Sequence, residues 1–66
     1  MEAKSIVQKL KTTPYKFTEA GKVRDYLRGL DPEDREDLLN DLRVEKTKSE
    51  NNIIDRVLHE LLNEFR

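Results

Sequence analysis

The sequence contains no cysteine and no tryptophan, and it has only two glycines and two prolines. Without cysteine the chain has no disulfide and no thiolate-bound metal, which fits an intracellular protein, and we expect it to be cytoplasmic. No apolar run approaches the roughly 20 residues of a membrane-spanning helix, so we expect neither a membrane span nor a signal peptide. A chain of 66 residues makes one domain at most, and we predict a single helical domain over residues 1–66.

Charged residues make up 41% of the sequence and hydrophobic residues 35%, which is polar enough to raise the question of disorder. The apolar residues nevertheless recur at helical spacing in almost every segment, which predicts a folded, all-α chain. The net charge of −1 conceals an uneven distribution. Residues 1–30 have a net charge of +4 and residues 31–66 one of −5, which indicates either a bipolar surface or pairing between the two halves.

The first two helices are predicted from their apolar spacing and from the residues that interrupt it. The first covers residues 2–11, and Pro14 prevents its continuation because proline cannot extend a helix. The second is expected to begin at Thr18, with Thr13 as the alternative N-cap. Gly29 is a natural C-terminal stop for this second helix.

The third and fourth helices have stronger start signals. Asp31 is a good N-cap in front of Pro32, and the third helix is predicted over residues 31–42. The fourth is predicted to open with a capping box at residues 47–50, with Ser49 as the alternative cap. Its apolar side chains cover an arc of roughly 180°, wider than in the other helices. Such a helix needs more than one neighbour, so it is either the central element of the fold or shared with another chain.

These elements predict a small four-helix, bundle-like, all-α domain with short connections and the C-terminal helix as its central element. The predicted core contains Ile6, Val7, Leu10, Phe17, Ala20, Val23, Leu27, Leu30, Leu38, Leu39, Leu42, Ile54, Val57, Leu58, Leu61 and Leu62.

The segment from residue 30 to residue 42 has six carboxylates and one basic residue, Arg35. A calcium loop needs carboxylates at alternate positions, a glycine at the bend and a terminal bidentate glutamate, and this segment lacks that pattern. We therefore expect no metal site. Most of the acids point away from the leucines on a helical wheel, whereas Arg35 falls within the leucine arc. The segment is best interpreted as a capped helix with a solvated acidic face.

Nothing in the sequence marks a catalytic site. His59 is the only histidine, and the helical wheel places it away from the apolar face of the fourth helix. No serine or threonine nucleophile can be placed beside it, and no glycine-rich phosphate loop is present. We predict that the protein is not an enzyme, and we expect no catalytic residue and no cofactor.

The candidate surface for an anionic partner consists of Lys4, Lys11, Lys22, Arg24 and Arg28. Arg24 and Arg28 lie one helical turn apart, where like charges repel, so an anion is expected near them. The internal candidate is the acidic helix 31–42, and the external ones are nucleic-acid phosphate or a partner's carboxylates. Nucleic-acid binding through residues 1–30 is the alternative function. It ranks second because the net charge is −1 and the second helix lacks the Asn and Gln side chains that read bases.

The wide apolar face of the fourth helix is the candidate surface for a homodimer. Its proposed members are Ile53, Val57, Leu61 and Phe65, because an apolar patch that a small soluble protein seldom leaves bare could be covered by a second copy. The leading functional prediction is a small regulatory or interaction module that contacts a protein partner through a helical surface.

Overall fold

The computed structural model describes residues 2–65, and this part of the chain forms four α-helices. Helix α1 spans Ala3–Thr12, α2 spans Lys16–Arg28, α3 spans Pro32–Lys48 and α4 spans Asn52–Asn63. The prediction of an all-α, four-helix fold with short connections is confirmed. None of the helices in residues 2–65 combines the length and the apolar composition that crossing a membrane requires.

Helices α1 and α4 occupy the middle of the arrangement. Helix α4 packs against all three of the other helices, as its wide apolar arc predicts, and α1 does the same. Helices α2 and α3 make few contacts apart from those of Arg35 with the C-terminal end of α2, because α1 and α4 lie between them. The basic side chains of α2 and the acidic side chains of α3 therefore face different parts of the surface.

The core is built from the apolar stripes of all four helices, and most of the predicted positions are buried. Ala20, Leu30 and Leu62 are only partly buried, and they pack against the rim of this cluster. Ala3 is buried although the predicted core omitted it. The prediction for Phe17 is wrong, since its side chain is 60% exposed. At about 100° per residue, Phe17 lies about 100° around α2 from the centre of the apolar stripe, so it points past the core.

Two predicted helix boundaries are wrong. Helix α2 begins at Lys16, before the predicted cap Thr18, and the hydroxyl of Thr13 instead accepts a hydrogen bond from the Tyr15 amide at 3.2 Å. Helix α3 continues past residue 42 to Lys48. Residues 43–48 contain neither proline nor glycine, so nothing interrupts the helical hydrogen bonding there.

The capping box predicted at residues 47–50 does not form. Thr47 lies in the last turn of α3, where its hydroxyl donates a hydrogen bond to the Val44 carbonyl at 2.7 Å. Asn51 is the N-cap of α4 instead, and its side-chain oxygen accepts from the amides of Ile53 and Ile54 at 2.9 and 3.2 Å. Asparagine ranks above threonine at this position, which accounts for the choice. Ser49, the alternative cap, accepts a hydrogen bond from the Asn51 amide at 3.2 Å.

A lysine at the start of α2 closes the C-terminal end of α1. The Lys16 ammonium donates hydrogen bonds to the carbonyl oxygens of Leu10 and Thr13 at 2.8 and 3.1 Å. The last carbonyl groups of a helix lack intrahelical partners and carry partial negative charge, so a cation there is stabilising.

Arg35, in the first turns of α3, closes the C-terminal end of α2 in the same way. Its Nε donates to the Leu27 carbonyl at 2.9 Å, and its Nη2 donates to the carbonyls of Arg28 and Leu30 at 3.2 and 3.0 Å. This placement explains how a partly buried arginine can sit within the leucine arc of α3. Its charge faces three peptide oxygens rather than the apolar core.

Candidate functional site

Several basic side chains of the first half are engaged within the fold. The ammonium groups of Lys9 and Lys22 both approach the carboxylate of Glu19, at 3.2 and 3.6 Å. Glu19 is buried between α1 and α2 while the two lysines are largely exposed. The hydrogen bond from Lys9 lowers the pKa of Glu19 below its ordinary value of 4.5, burial opposes this, and the charge of Lys22 adds to the lowering. Lys22 therefore serves an internal ion pair.

The two arginines of α2 do not pair with α3. Arg28 pairs with Glu64 at 3.4 Å, just beyond the end of α4, and Arg24 approaches its neighbour Asp25 at 3.6 Å. Helix 31–42, the internal candidate, therefore does not supply the carboxylates that these two arginines meet. The reason is topological, because α2 and α3 lie on opposite sides of α1 and α4.

Lys4 and Lys11 are exposed on α1, and neither has an ion pair among the side chains that the structure describes. Lys4 lines the groove between α1 and α3, whereas Lys22 lines a cavity of about 120 Å³ between α1 and α2. Arg24 borders a third groove, between α2 and α4. Three of the five predicted basic residues thus line three different grooves, and Lys11 and Arg28 line none of these.

The structure also divides the four residues predicted for self-association. Val57 and Leu61 are only 1% and 4% exposed, because the other helices cover the middle of the apolar arc of α4. Phe65 is partly buried against the core, and Ile53 is 57% exposed. Ile53 is therefore the member that faces solvent most fully, and self-association through these four residues stays a prediction.

A further groove lies between the N-terminal end of α1 and the length of α3. It has a volume of about 590 Å³ and is open to solvent. We call it the acidic groove after the five carboxylates that line it, which are Glu2, Asp34, Asp37, Asp41 and Glu45.

The floor of the acidic groove is apolar. Ala3 and Leu38 contribute side chains that are almost fully buried, and Val44 contributes one that is 50% exposed. Lys4 and Lys48 also line the groove, so it carries five negative and two positive side chains. The groove thus combines an excess of negative charge with an accessible apolar side chain.

The carboxylates of the acidic groove have no ion-pair partner within residues 2–65. Five other acids of the described chain do pair with cations within 4 Å. These are Glu19, Asp25, Glu36, Asp55 and Glu64. The fold therefore leaves a net negative charge in this groove, although four acids outside it, Asp31, Glu33, Glu50 and Glu60, also have no ion pair in the described chain.

Four of the groove carboxylates form a single stripe on α3. Asp34, Asp37, Asp41 and Glu45 follow one another at intervals of three or four residues. The sequence prediction placed Asp34, Asp37 and Asp41 on the outer face of this helix, but it ended the helix at residue 42 and so separated Glu45 and Val44 from them. The spacing itself was the available signal, since the acids continue at helical intervals through Glu45.

The stripe does not have the geometry of a metal site. No group of three or more histidine or acidic side chains in the described part of the chain is arranged to hold a metal ion. His59 is exposed and lines a separate groove of about 220 Å³ with Arg43, Lys46 and Leu62. What the acidic groove can do chemically is attract and hold extended positive charge.

Comparison with protein-family models, with curated proteins and with solved structures gives no match to this chain.

Proposed function

We propose that the protein is a small interaction module that binds a basic protein partner in the acidic groove. The observation that carries this proposal is the set of five carboxylates without an ion-pair partner in residues 2–65. A chain that uses cations to neutralise Glu19 and to close the ends of α1 and α2 leaves this groove strongly negative. Unpaired charge of one sign around an accessible apolar side chain is the arrangement expected of a surface that meets an opposite charge.

The chemistry of the groove predicts the character of the interaction. Four of the five carboxylates lie on exposed residues and Glu45 is partly buried, so each contact with a cation is expected to contribute modestly and to weaken as salt screens it. Their joint field attracts a basic partner from a distance and raises the association rate. The half-exposed Val44 adds a short-range apolar contact to this long-range electrostatic attraction. We therefore expect a fast, salt-sensitive complex suited to regulation.

Nucleic-acid binding through residues 1–30 remains the alternative. In its favour, Tyr15 and Phe17 are 72% and 60% exposed next to this basic half, and bases stack on exposed aromatic rings. Against it, Lys9 and Lys22 share Glu19, and Lys16 is held by carbonyl oxygens at the end of α1. The acidic groove would also repel phosphate. We rank the protein partner first for these reasons.

An NMR titration of the isotope-labelled protein tests the proposal. The first probe is a flexible peptide in which lysines are separated by glycine and serine, and the second is random duplex DNA. We expect the peptide to shift amide signals of α3 from Asp34 to Glu45 and of Ala3, with weaker effects at higher salt. We expect the DNA to shift none of them.

Matched charge variants show whether the groove or the whole molecule attracts the peptide. Asp37→Asn with Asp41→Asn removes two groove carboxylates, whereas Glu33→Gln with Glu50→Gln removes two exposed acids outside it. Only the first pair should weaken binding markedly. Equal weakening by both pairs, or a salt-dependent response to DNA with no response to the peptide, would overturn the proposal.

Pairing of two copies through α4 also remains a prediction, with Ile53 as its most exposed residue. Sedimentation equilibrium decides it, because a monomer has a mass of 7.8 kDa. If a dimer forms through this face, Ile53→Glu should convert it to monomer while its helicity is retained.

A further inference from the structure

We infer that the segment bound in the acidic groove is an amphipathic α-helix lying along α3, with basic side chains at intervals of three and four residues beside an apolar side chain that packs on Val44. The inference rests on the proposed function and deepens it by naming the conformation and residue pattern of the partner. It follows from the spacing of the carboxylates, from the backbone chemistry of the groove and from its floor.

The spacing of the carboxylates matches the rise of a helix. Along α3, Asp34, Asp37 and Asp41 are separated by about 4.5 and 6 Å, and Glu45 follows after about 6 Å more, at 1.5 Å per residue. A helix laid beside α3 repeats the same intervals when its lysines or arginines are three or four residues apart. In an extended strand, side chains on one face recur about every 6.6 Å, so they drift out of register along the stripe.

The backbone hydrogen bonding of the partner also favours a helix. An extended peptide gains affinity mainly by adding a strand to the edge of a sheet, and residues 2–65 contain no strand that could accept it. The groove presents side chains from α1 and α3 rather than free backbone groups. A helix brings its own backbone hydrogen bonds and offers side chains alone, so it leaves no backbone group unpaired on entering such a groove.

The floor and the end of the groove define the pattern further. Val44 is half exposed above the nearly buried Leu38 and Ala3, so it can contact one apolar side chain of the partner. Lys48 follows Glu45 on α3 and would repel a basic side chain placed opposite it. The basic stretch of the partner is therefore limited to the length from Asp34 to Glu45, about 16 Å or three helical turns.

Three synthetic peptides test the inference. The first two have identical composition, and the third differs from the first at one residue. The first places its lysines at helical intervals on one face with a leucine between them. The second has the same residues in an order that spreads the lysines around the helix. The third is the first with a central alanine replaced by proline, which breaks the helix. Affinities are measured by fluorescence anisotropy, and peptide helicity by far-ultraviolet circular dichroism on mixing.

The first peptide should bind about two- to fivefold more tightly than the other two and should gain helicity on binding, because each of the other two loses one or two register-dependent contacts. A variant pair isolates the apolar contact. Val44→Ser should lower the affinity for the first peptide severalfold. Ile53→Ser, at a similarly exposed apolar position outside the groove, should leave this affinity unchanged.

The outcomes separate this inference from the proposed function. If the proline peptide binds as tightly as the first peptide and shifts the same signals of α3, the partner need not be helical and the inference is wrong, although the groove still binds basic segments. If Val44→Ser has no effect, the apolar contact is wrong. If none of the peptides perturbs the groove, the inference and the proposed function both fail.

Discussion

Replacing the partly buried Arg35 with methionine should destabilise the fold. Methionine keeps much of the aliphatic packing of the side chain but removes the guanidinium group. The three hydrogen bonds that Arg35 donates to the carbonyls of Leu27, Arg28 and Leu30 are then lost. These carbonyls end α2, where the helix dipole concentrates negative charge, so the variant loses a charge interaction as well.

The expected loss is about 2 kcal/mol. A hydrogen bond to a charged group is worth about 1.5–3 kcal/mol when it is buried, but Arg35 is only partly buried and water can replace some of its contacts. A cation at a helix C-terminus contributes up to about 2 kcal/mol in favourable, partly buried geometry. At about 0.05–0.15 kcal/mol per residue, the whole domain is stable by only about 3–10 kcal/mol. The variant should therefore melt about 8–16 °C lower.

Urea denaturation followed by far-ultraviolet circular dichroism measures the effect. Arg56→Met is the matched control, because Arg56 is an exposed arginine of α4 that forms no ion pair in the described structure. Arg35→Lys should fall between the two, since an ammonium group keeps the charge but not the planar fork. If Arg35→Met lies within about 0.5 kcal/mol of the wild type, the reasoning about helix closure is refuted.

Four further substitutions should change the stability, or its dependence on pH, in a direction that the structure predicts. Ionised Glu19 stabilises the fold at pH values above its ordinary pKa of 4.5. This stabilisation is lost as the pH falls through the lower pKa that Glu19 has in the folded protein. Glu19→Gln should therefore make the melting temperature less sensitive to acid. Gly21→Ala should add about 0.5–1 kcal/mol in urea denaturation, because an added Cβ would meet only the Arg24 side chain at 3.9 Å. Asn51→Ala should cost about 1 kcal/mol by removing the cap of α4. Asp41→Asn should stabilise the protein by about 0.5–1 kcal/mol yet weaken binding of a basic peptide.

The helical class and most of the core were predictable because the apolar residues repeat with the helical period. The breadth of the apolar arc of α4 also predicted that this helix would contact several neighbours, and it packs against all three. Phe17 is an exception, because helical periodicity did not predict its exposure. Whether an aromatic residue near a helix start points inward depends on where that helix begins, and the start at Lys16 was placed too late in the sequence prediction. Helix ends are governed by small differences between competing caps such as Asn51 and Ser49.

The acidic groove was only partly predictable. The sequence shows that Asp34, Asp37 and Asp41 share the outer face of a helix, and it places Arg35 correctly within the leucine arc. It does not show that the N-terminal end of α1 lies against this face, because that contact depends on how the helices pack. The same applies to Arg28, whose partner Glu64 is distant in sequence. Local periodicity predicts a face, whereas a groove needs two elements brought together.

The stability of Asp41→Asn distinguishes a binding role of the groove from a structural one. Asp41 lies four residues after Asp37 and four before Glu45, and like charges at this spacing destabilise a helix by about 0.2–0.5 kcal/mol per pair. Asparagine has nearly the helix propensity of aspartate, so the substitution chiefly removes two repulsions. Since salt screens exposed charges, the stabilisation should shrink as ionic strength rises.

Glu50→Gln is the control for this measurement, because Glu50 lies in the α3–α4 connection and has no helical neighbour at that spacing. A gain in stability for Asp41→Asn alone, together with weaker binding of a basic peptide, would mean that the chain tolerates a less stable helix in order to keep the groove negative. A loss of stability would show instead that Asp41 supports the fold. The charge of the groove would then have a structural explanation, and the case for a basic partner would lose its main physical argument.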